Sequence, residues 1–262
     1  MTTSALLPAI TAHQSTPYQL RPATSSAEVL AAQRLRFVVF EREGGASTPG
    51  PAQVDADEFD DICDHLIVWF QLSPDMQPEA VATYRLLPPH ANDAHPRSSG
   101  LYSAAEFDLA ALESLMPATV EAGRCAVHPD HRNGTTMALL WGGIARYMFL
   151  SGYRYVIGCA SISLADGGAQ AAHVWDVVQA KHLDPEGRRC APRLRWNDLA
   201  VTRPLRARVP ALLKGYLRLG AVVLGPPACD PDFNTADLLV LLDLERTEKR
   251  YLGYFLGMVE AG

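Results

Sequence analysis

The segment Glu121-Ala-Gly-Arg-Cys-Ala-Val-His-Pro-Asp-His-Arg-Asn-Gly134 constrains this chain most, because it joins an apolar strand to a helix through a short, polar, glycine-bearing turn. Thr119 to Val127 carries one charged pair, Glu121 and Arg124, in an otherwise apolar run, and Pro129 ends the strand by fixing φ and removing a donor. The period then changes. Met137, Leu140, Trp141, Ile144, Tyr147 and Met148 recur at helical spacing, with Thr135 and Thr136 placed as caps. A strand, an anion-friendly turn and a helix N-terminus together predict a cradle for one phosphate. Taken alone, the Glu121 and Arg124 pair reads as readily as a structural ion pair at a sheet edge.

A chain of 262 residues allows one large domain or two small ones, and its apolar content and lack of repeats mark a soluble, globular protein. Residues 1–17 are rich in Thr, Ser, Ala and Pro without Lys or Arg. That composition predicts a disordered lead-in rather than a signal peptide, with one domain over 18–262. No apolar run approaches the ~20 residues a spanning helix requires, and Arg146 interrupts the longest candidate. The five cysteines are scattered without a Cys-x-x-Cys pair, which suggests neither a disulfide framework nor a zinc site and fits a reducing cytoplasm. Cys125, although beside the turn, reads as a small buried strand residue rather than a nucleophile.

The net charge of −6 hides an asymmetry, since Lys181 to Arg218 holds ten basic residues against Asp184, Glu186 and Asp198, a local +7 that leaves −13 elsewhere. This stretch is either a solvated helical face or a docking surface for something anionic, with Arg188, Arg189, Arg203, Arg206 and Arg208 as its candidate contacts. An acidic chain without a reading motif argues against nucleic acid.

Tyr18 to Arg21 predicts a strand, and Ser25 or Ser26 caps a helix through about Arg42. His65 to Leu72 and Ala80 to Leu87 read as paired strands, with a short helix over 106–115. After the central strand and helix come a strand over 153–162, helices over 168–179 and 207–219, strands over 221–224 and 238–243, and a closing helix over 248–256. Residues 183–204 read as irregular. This order predicts an α/β or α+β fold around one mostly antiparallel sheet flanked by helices.

Glu121 to Gly134, Ala138-Leu-Leu-Trp-Gly-Gly-Ile-Ala-Arg-Tyr-Met148, Gly158-Cys-Ala-Ser-Ile162, Leu212-Leu-Lys-Gly-Tyr-Leu-Arg-Leu-Gly220 and Pro226 to Asp243 resemble the bacterial ornithine-acyl carrier protein N-acyltransferases. These are a haemolysin-like branch of the Gcn5-related N-acyltransferase superfamily, and the match runs over roughly residues 18 to 256. The resemblance implies that fold and thioester aminolysis, with a long, 3-hydroxylated acyl chain passing from acyl carrier protein to the α-amine of ornithine. No other cofactor is implied, because the donor rides on the carrier's phosphopantetheine. A cytoplasmic protein with peripheral contact to an anionic membrane surface would suit such a product.

Glu121 is then the candidate base, a carboxylate whose apolar neighbours can lift its pKa toward neutrality. A backbone N–H near Arg124 to Val127 would stabilise the carbonyl oxygen, as superfamily members do at a break in this strand. The superfamily's phosphate loop has a second glycine that Arg132-Asn-Gly134-Thr-Thr lacks. That departure favours one phosphodiester over the diphosphate of coenzyme A, with Val127, Arg132, Asn133, Gly134 and Thr135 as the phosphopantetheine and acyl contacts.

A second resemblance, to acyl-homoserine lactone synthases, rests on Arg36-Phe-Val-Val-Phe40, Asp57-Glu-Phe-Asp60, Arg85-Leu-Leu-Pro88 and Glu121-Ala-Gly-Arg124. It implies that Arg36, Asp57, Asp60, Arg85, Glu121 and Arg124 form one charged network lining an amine pocket, with Phe40 beside it. Without the resemblance, the six acids between Asp55 and Asp64 are an ordinary hydrated loop, and a calcium loop is excluded by the missing glycine and ligand spacing. His128, Asp130 and His131 crowd around Pro129 and predict no metal site. The rival readings are a synthase for another amino acid such as glycine, lysine or glutamine, a lactone synthase using S-adenosylmethionine, a membrane-acting haemolysin, and a non-catalytic carrier-binding protein.

Overall fold

The computed structural model describes residues 10–11, 16–43, 53–89, 100–198, 200–204 and 208–247. The chain divides into two compact units built from interleaved segments. The first comprises Met1–His95, Ala122–Tyr153 and Lys249–Gly262; the second comprises Pro96–Glu121 and Arg154–Glu248.

The first unit contains β1 (Ile10–Thr11), β2 (Tyr18–Pro22), α1 (Ser26–Phe37), β3 (Asp64–Phe70), β4 (Glu79–Leu87), the second part of β5 (Thr119–Val127) and α2 (Gly134–Ser151). Its strands lie in the order β1-β2-β3-β4-β5, and the first three pairings are antiparallel. Strand β1 falls inside the segment that composition marks as a disordered lead-in. Ser25 caps α1 by accepting the Glu28 N–H, and after Phe37 the helix continues as a π-helical segment over Val38–Glu43. The middle of α2 can approach the sheet because Gly143 has no side chain: a Cβ there would lie 2.8 Å from Leu20 Cδ2. Below that approach the Tyr147 hydroxyl donates to buried Asp64 at 2.8 Å.

The second unit contains the first part of β5, β6 (Tyr155–Ser163), α3 (Ala169–Lys181), α4 (Ala211–Arg218), β7 (Val222–Val223), β8 (Ala228–Asp230) and β9 (Thr235–Asp243). Thr119 to Glu121 pair in parallel with Tyr155 to Ile157, and β6 pairs antiparallel with β9 along its whole length. Strands β7 and β8 both pair with β9. The predicted short helix is instead two 3-10 segments, Tyr102–Ala105 and Ala110–Ala118, with Pro117 inside the second. Phe107, Leu112, Ile157, Cys190, Leu224, Ala228, Leu239 and Leu241 form the core of this unit.

Most predicted elements are present with ends shifted by a few residues. Strand β8 has no counterpart in the sequence reading, being three residues between turns. The cap of α2 is Asn133, whose side chain accepts the Thr136 N–H at 3.0 Å, rather than Thr135 or Thr136. The helix expected over 248–256 lies outside the described residues. Among the described residues no helix is long and apolar enough to cross a membrane.

Gly225 has φ +152, and a Cβ there would sit 2.8 Å from the Cys190 carbonyl oxygen, so backbone rather than a mobile side chain would have to yield. Gly225→Ala is expected to destabilise the protein by about 1–3 kcal/mol. Urea denaturation midpoints with an unchanged m-value test this; a midpoint equal to wild type would show that the loop can shift freely.

Candidate active site

The charged residues of the first unit form a closed network of three arginines and three aspartates. Arg36, on the inner face of α1, is completely buried. Its Nη2 donates to the Asp55 carbonyl at 2.6 Å and to Asp60 Oδ1 and Oδ2 at 2.9 and 2.7 Å. Arg85, on β4, donates to Asp57 at 2.5 Å and to Asp60 at 3.1 Å. Arg124, on β5, donates to the other oxygen of Asp57 at 3.1 Å, and its Nε lies 3.7 Å from Asp55. Gln33 adds a bond to Asp60 at 3.0 Å, and the Phe59 ring lies beneath the Arg85 guanidinium.

The acidic loop holds its shape by a reciprocal cap. Asp57 accepts from the backbone at the start of the 3-10 segment Glu58–Asp61, while Asp60 accepts the Asp57 N–H. Asp55, Asp57 and Asp60 of this loop are thus ligands for arginines rather than hydrated surface acids, while Glu58 and Asp61 are exposed.

Burial alone would raise Asp60, but the Arg36 hydrogen bond and the charges of Arg36 and Arg85 hold it well below the usual carboxylate range. Asp57 is likewise lowered, burial being outweighed by Arg85 and Arg124. Asp55 is raised, because there burial outweighs Arg124 and Arg36. Burial also lowers His65, whose Nε2 lies 3.0 Å from the Asp60 carbonyl. Phe40 is half-buried in the π-helical segment that follows α1.

Arg124 itself has φ +52, an unusual conformation for a side-chain-bearing residue in a strand. It distorts the backbone of β5 just before Cys125 to Val127. Downstream, Arg132 Nε donates to the Val127 carbonyl at 3.2 Å, and Asn133 reaches Tyr18, whose hydroxyl lies 3.0 Å from His131 Nδ1. Gly134 is exposed at the start of the 18-residue α2, where the helix dipole favours an anion. Thr135 follows it, half-buried in the first turn.

Glu121, in the second unit, is 6 % exposed, and its carboxylate is seated on the first turn of the 3-10 segment Tyr102–Ala105. It accepts the Tyr102 N–H at 2.6 Å and the Ser103 N–H at 2.8 Å. Burial pushes the Cys125 thiol up to about 12, as suits a packing residue.

The candidate docking arginines are largely engaged by local acids. Arg188 pairs with Asp184 at 2.8 Å and with Glu186 at 3.1 Å, Arg203 pairs with Asp176 and Asp198, and Arg189 donates to backbone carbonyls. Arg208 is exposed, and Arg206 lies outside the described residues. Around Pro129, His128 Nδ1 lies 3.8 Å from Asp130, whose side chain is largely exposed, and His131 meets Tyr18. Among the described residues the side chains closest to a metal-binding arrangement are Glu106, Cys159 and Asp237, whose donor atoms lie within 4.8 Å of one another.

Sequence reasoning passed over Asp55, Gln33 and the Tyr102–Ser103 amides. Asp55 is signalled by its spacing with Asp57 and Asp60, but backbone amides carry no sequence signal.

Arg36→Met is expected to lower stability by about 3–5 kcal/mol near neutral pH, because it leaves buried Asp60 without its main cation. Asp60 and Asp57 have lowered folded values, so their contribution is complete above the unfolded carboxylate value near 4 and is lost as pH falls through the folded values. The Arg36→Met deficit should therefore shrink as pH is lowered and Asp60 takes up a proton. Urea melts at several pH values test this, and a deficit independent of pH would refute the electrostatic origin.

Residues 35–142 match the family model for the acetyltransferase (GNAT) domain. The chain is 35 % identical to the L-ornithine N(alpha)-acyltransferase of Rhodobacter capsulatus, over 93 % of this chain and 96 % of that protein. It is also 35 % identical to the enzyme of the same name from Brucella abortus, over 90 % and 88 %. Among solved structures it resembles FeeM, an N-acyl amino acid synthase from uncultured soil microbes, with a TM-score of 0.53 and 11 % identity over 89 % of this chain and 95 % of that one. The acyl-homoserine lactone synthase LasI gives 0.52 at 12 % identity over 90 % and 93 %. At such identities the structural likenesses speak to the fold alone.

Proposed function

The chain belongs to the L-ornithine N(alpha)-acyltransferase family and is a GNAT-type N-acyltransferase; from that premise we propose that it acylates the α-amine of ornithine, using a long 3-hydroxyacyl thioester of acyl carrier protein, to form a lyso-ornithine lipid. The observation that carries the chemistry is the left-handed φ of +52 at Arg124, which distorts the backbone of β5 immediately before Cys125 to Val127. N–H groups there suit the oxyanion of a thioester under attack.

In the proposed reaction the amine nitrogen attacks the thioester carbonyl, forming the C–N bond, and Glu121 takes the proton that the nitrogen sheds. The oxyanion collapses, the C–S bond breaks, and the phosphopantetheine sulfur leaves with a proton as the thiol. No covalent enzyme intermediate is required. The amides of Tyr102 and Ser103 orient the Glu121 carboxylate. The Arg36–Asp60–Arg85–Asp57–Arg124 chain ties β5, β4 and α1 together around the distorted residue, a task for which fixed charges suit better than mobile ones. Glu121→Gln is expected to lower kcat by roughly 100-fold or more with the protein still folded. Turnover within a few-fold of wild type would remove Glu121 from the base role.

The exposed N-terminus of α2 at Gly134 offers one helix dipole for one phosphodiester, which supports a carrier-borne donor over coenzyme A. The basic stretch containing Arg208 is the face proposed to meet an acidic carrier or anionic membrane. The expectation is a kcat/KM at least tenfold higher for acyl-carrier than for acyl-coenzyme A with the same chain, with a carrier KM that rises with salt. Equal efficiency with both donors would refute carrier specificity, and a salt-independent KM would move docking elsewhere.

A further inference from the structure

The second unit contains a pair of carboxyl groups that the acyl-transfer chemistry does not use. Glu106 follows the 3-10 segment that seats Glu121, and its N–H donates to the Ser103 carbonyl at 3.1 Å. Both oxygens of Glu106 are sealed from solvent and receive no N–H or hydroxyl donor, which leaves a proton shared with Asp237 as their hydrogen bond. The Ser103 hydroxyl, in a completely buried residue one turn earlier, is also without a partner. Asp237 on β9, 3 % exposed, accepts from Thr235 on Oδ1 at 2.7 Å and from Ser161 on Oδ2 at 3.2 Å, one donor to each oxygen. Glu106, Asp237 and the sulfur of Cys159 on β6 lie within 4.8 Å of one another.

Two buried acceptors facing each other need a cation or a proton between them. Burial is the largest cause raising both carboxyls, and the neighbouring charges acting most strongly on Glu106 are acidic as well: Asp237 on β9, Asp230 on β8 and Glu121 on β5. The same groups and burial drive the Cys159 thiol well above its ordinary value, so it stays protonated and is a poor metal ligand. A nitrogen centred among three atoms up to 4.8 Å apart lies at most about 2.8 Å from each, the length of an N–H···O bond to a charged acceptor.

We propose that Glu106 and Asp237 are the specificity-determining residues that receive the side-chain ammonium of the amino-acid substrate, while Glu121 serves its α-amine. This rests on the ornithine reading above and deepens it. An ammonium seated between the carboxyls replaces the proton they share, so the charge of the buried site does not change on binding. The ammonium's three N–H donors meet Glu106, Asp237 and, as a weak acceptor, the Cys159 sulfur. A substrate of the same length without that ammonium leaves the pair protonated and unrewarded.

The test compares ornithine with norvaline, which has the same carbon chain and no δ-amine, as acceptors for wild type, Glu106→Gln and Asp237→Asn. In each variant kcat/KM for ornithine is expected to fall by roughly 10- to 100-fold, while that for norvaline changes by no more than about threefold, which also shows that the variant folds. Titration calorimetry of wild type with ornithine near neutral pH, in two buffers of different ionisation enthalpy, should show proton release that is lost in Glu106→Gln. An unchanged ornithine-to-norvaline ratio, or ornithine binding without proton release, overturns the assignment while leaving the ornithine reading in place. Wild type that acylates no ornithine overturns that reading and this one with it. Loss of ornithine turnover on chelation, restored by zinc, would assign the pair to a metal instead.

Discussion

The first unit depends on one fully buried guanidinium. Arg36 has no access to water, so every hydrogen bond it lacks inside the protein is a cost, and Asp60 and the Asp55 carbonyl supply the acceptors. Asp60 in turn serves Arg85 and Gln33, and Asp57 passes the contact on to Arg124. Helix α1, the acidic loop, β4 and β5 are thereby tied together by charges, in addition to the apolar contact of Ala32 on α1 with Ile67 and Trp69. Buried ion networks of this kind are weak as net stabilisers and strong as determinants of geometry, because removing one member strands the others.

That rigidity bears on the strained residue at the end of the chain of contacts. A positive φ at a residue with a side chain persists only where its surroundings impose it, and Arg124 is held by Asp57 and Asp55. The backbone distortion at Arg124 and the arginine network are two aspects of one constraint. Glu121, three residues earlier, is positioned by different means, through the amides of Tyr102 and Ser103. A carboxylate fixed by backbone donors keeps its place whatever side chains vary around it.

The same 3-10 segment that seats Glu121 leads directly to Glu106. Within the second unit, the acid proposed to handle the reacting amine and the acids proposed to recognise the distal amine are thus fixed by one short turn. Strands β6 and β9 complete this arrangement with Cys159, Ser161 and Asp237 over the apolar core around Phe107 and Leu239.

By itself the sequence determined the elements whose signals are local: the apolar run of β5 ended at Pro129, the helical spacing of α2, the paired strand runs of β3 and β4, and Ser25 before α1. The resemblance to acyl-homoserine lactone synthases implied one network of Arg36, Asp57, Asp60, Arg85, Glu121 and Arg124; the structure joins five of them in ion pairs and seats Glu121 on the Tyr102 and Ser103 amides. Tertiary structure alone decided what depends on distance in space. The acids of 55–64 read equally as a wet loop until α1 and β4 bring two arginines onto them. Asn133 rather than the threonines caps α2 because its side chain also reaches Tyr18, more than a hundred residues away. Basic residues from Arg188 to Arg203 look like a free positive surface in sequence, yet Asp176, Asp184 and Asp198 fold against them. Glu106 and Asp237 meet only because β9 pairs with β6 beside the turn that carries Glu106, a proximity between residues 131 positions apart that no local pattern encodes.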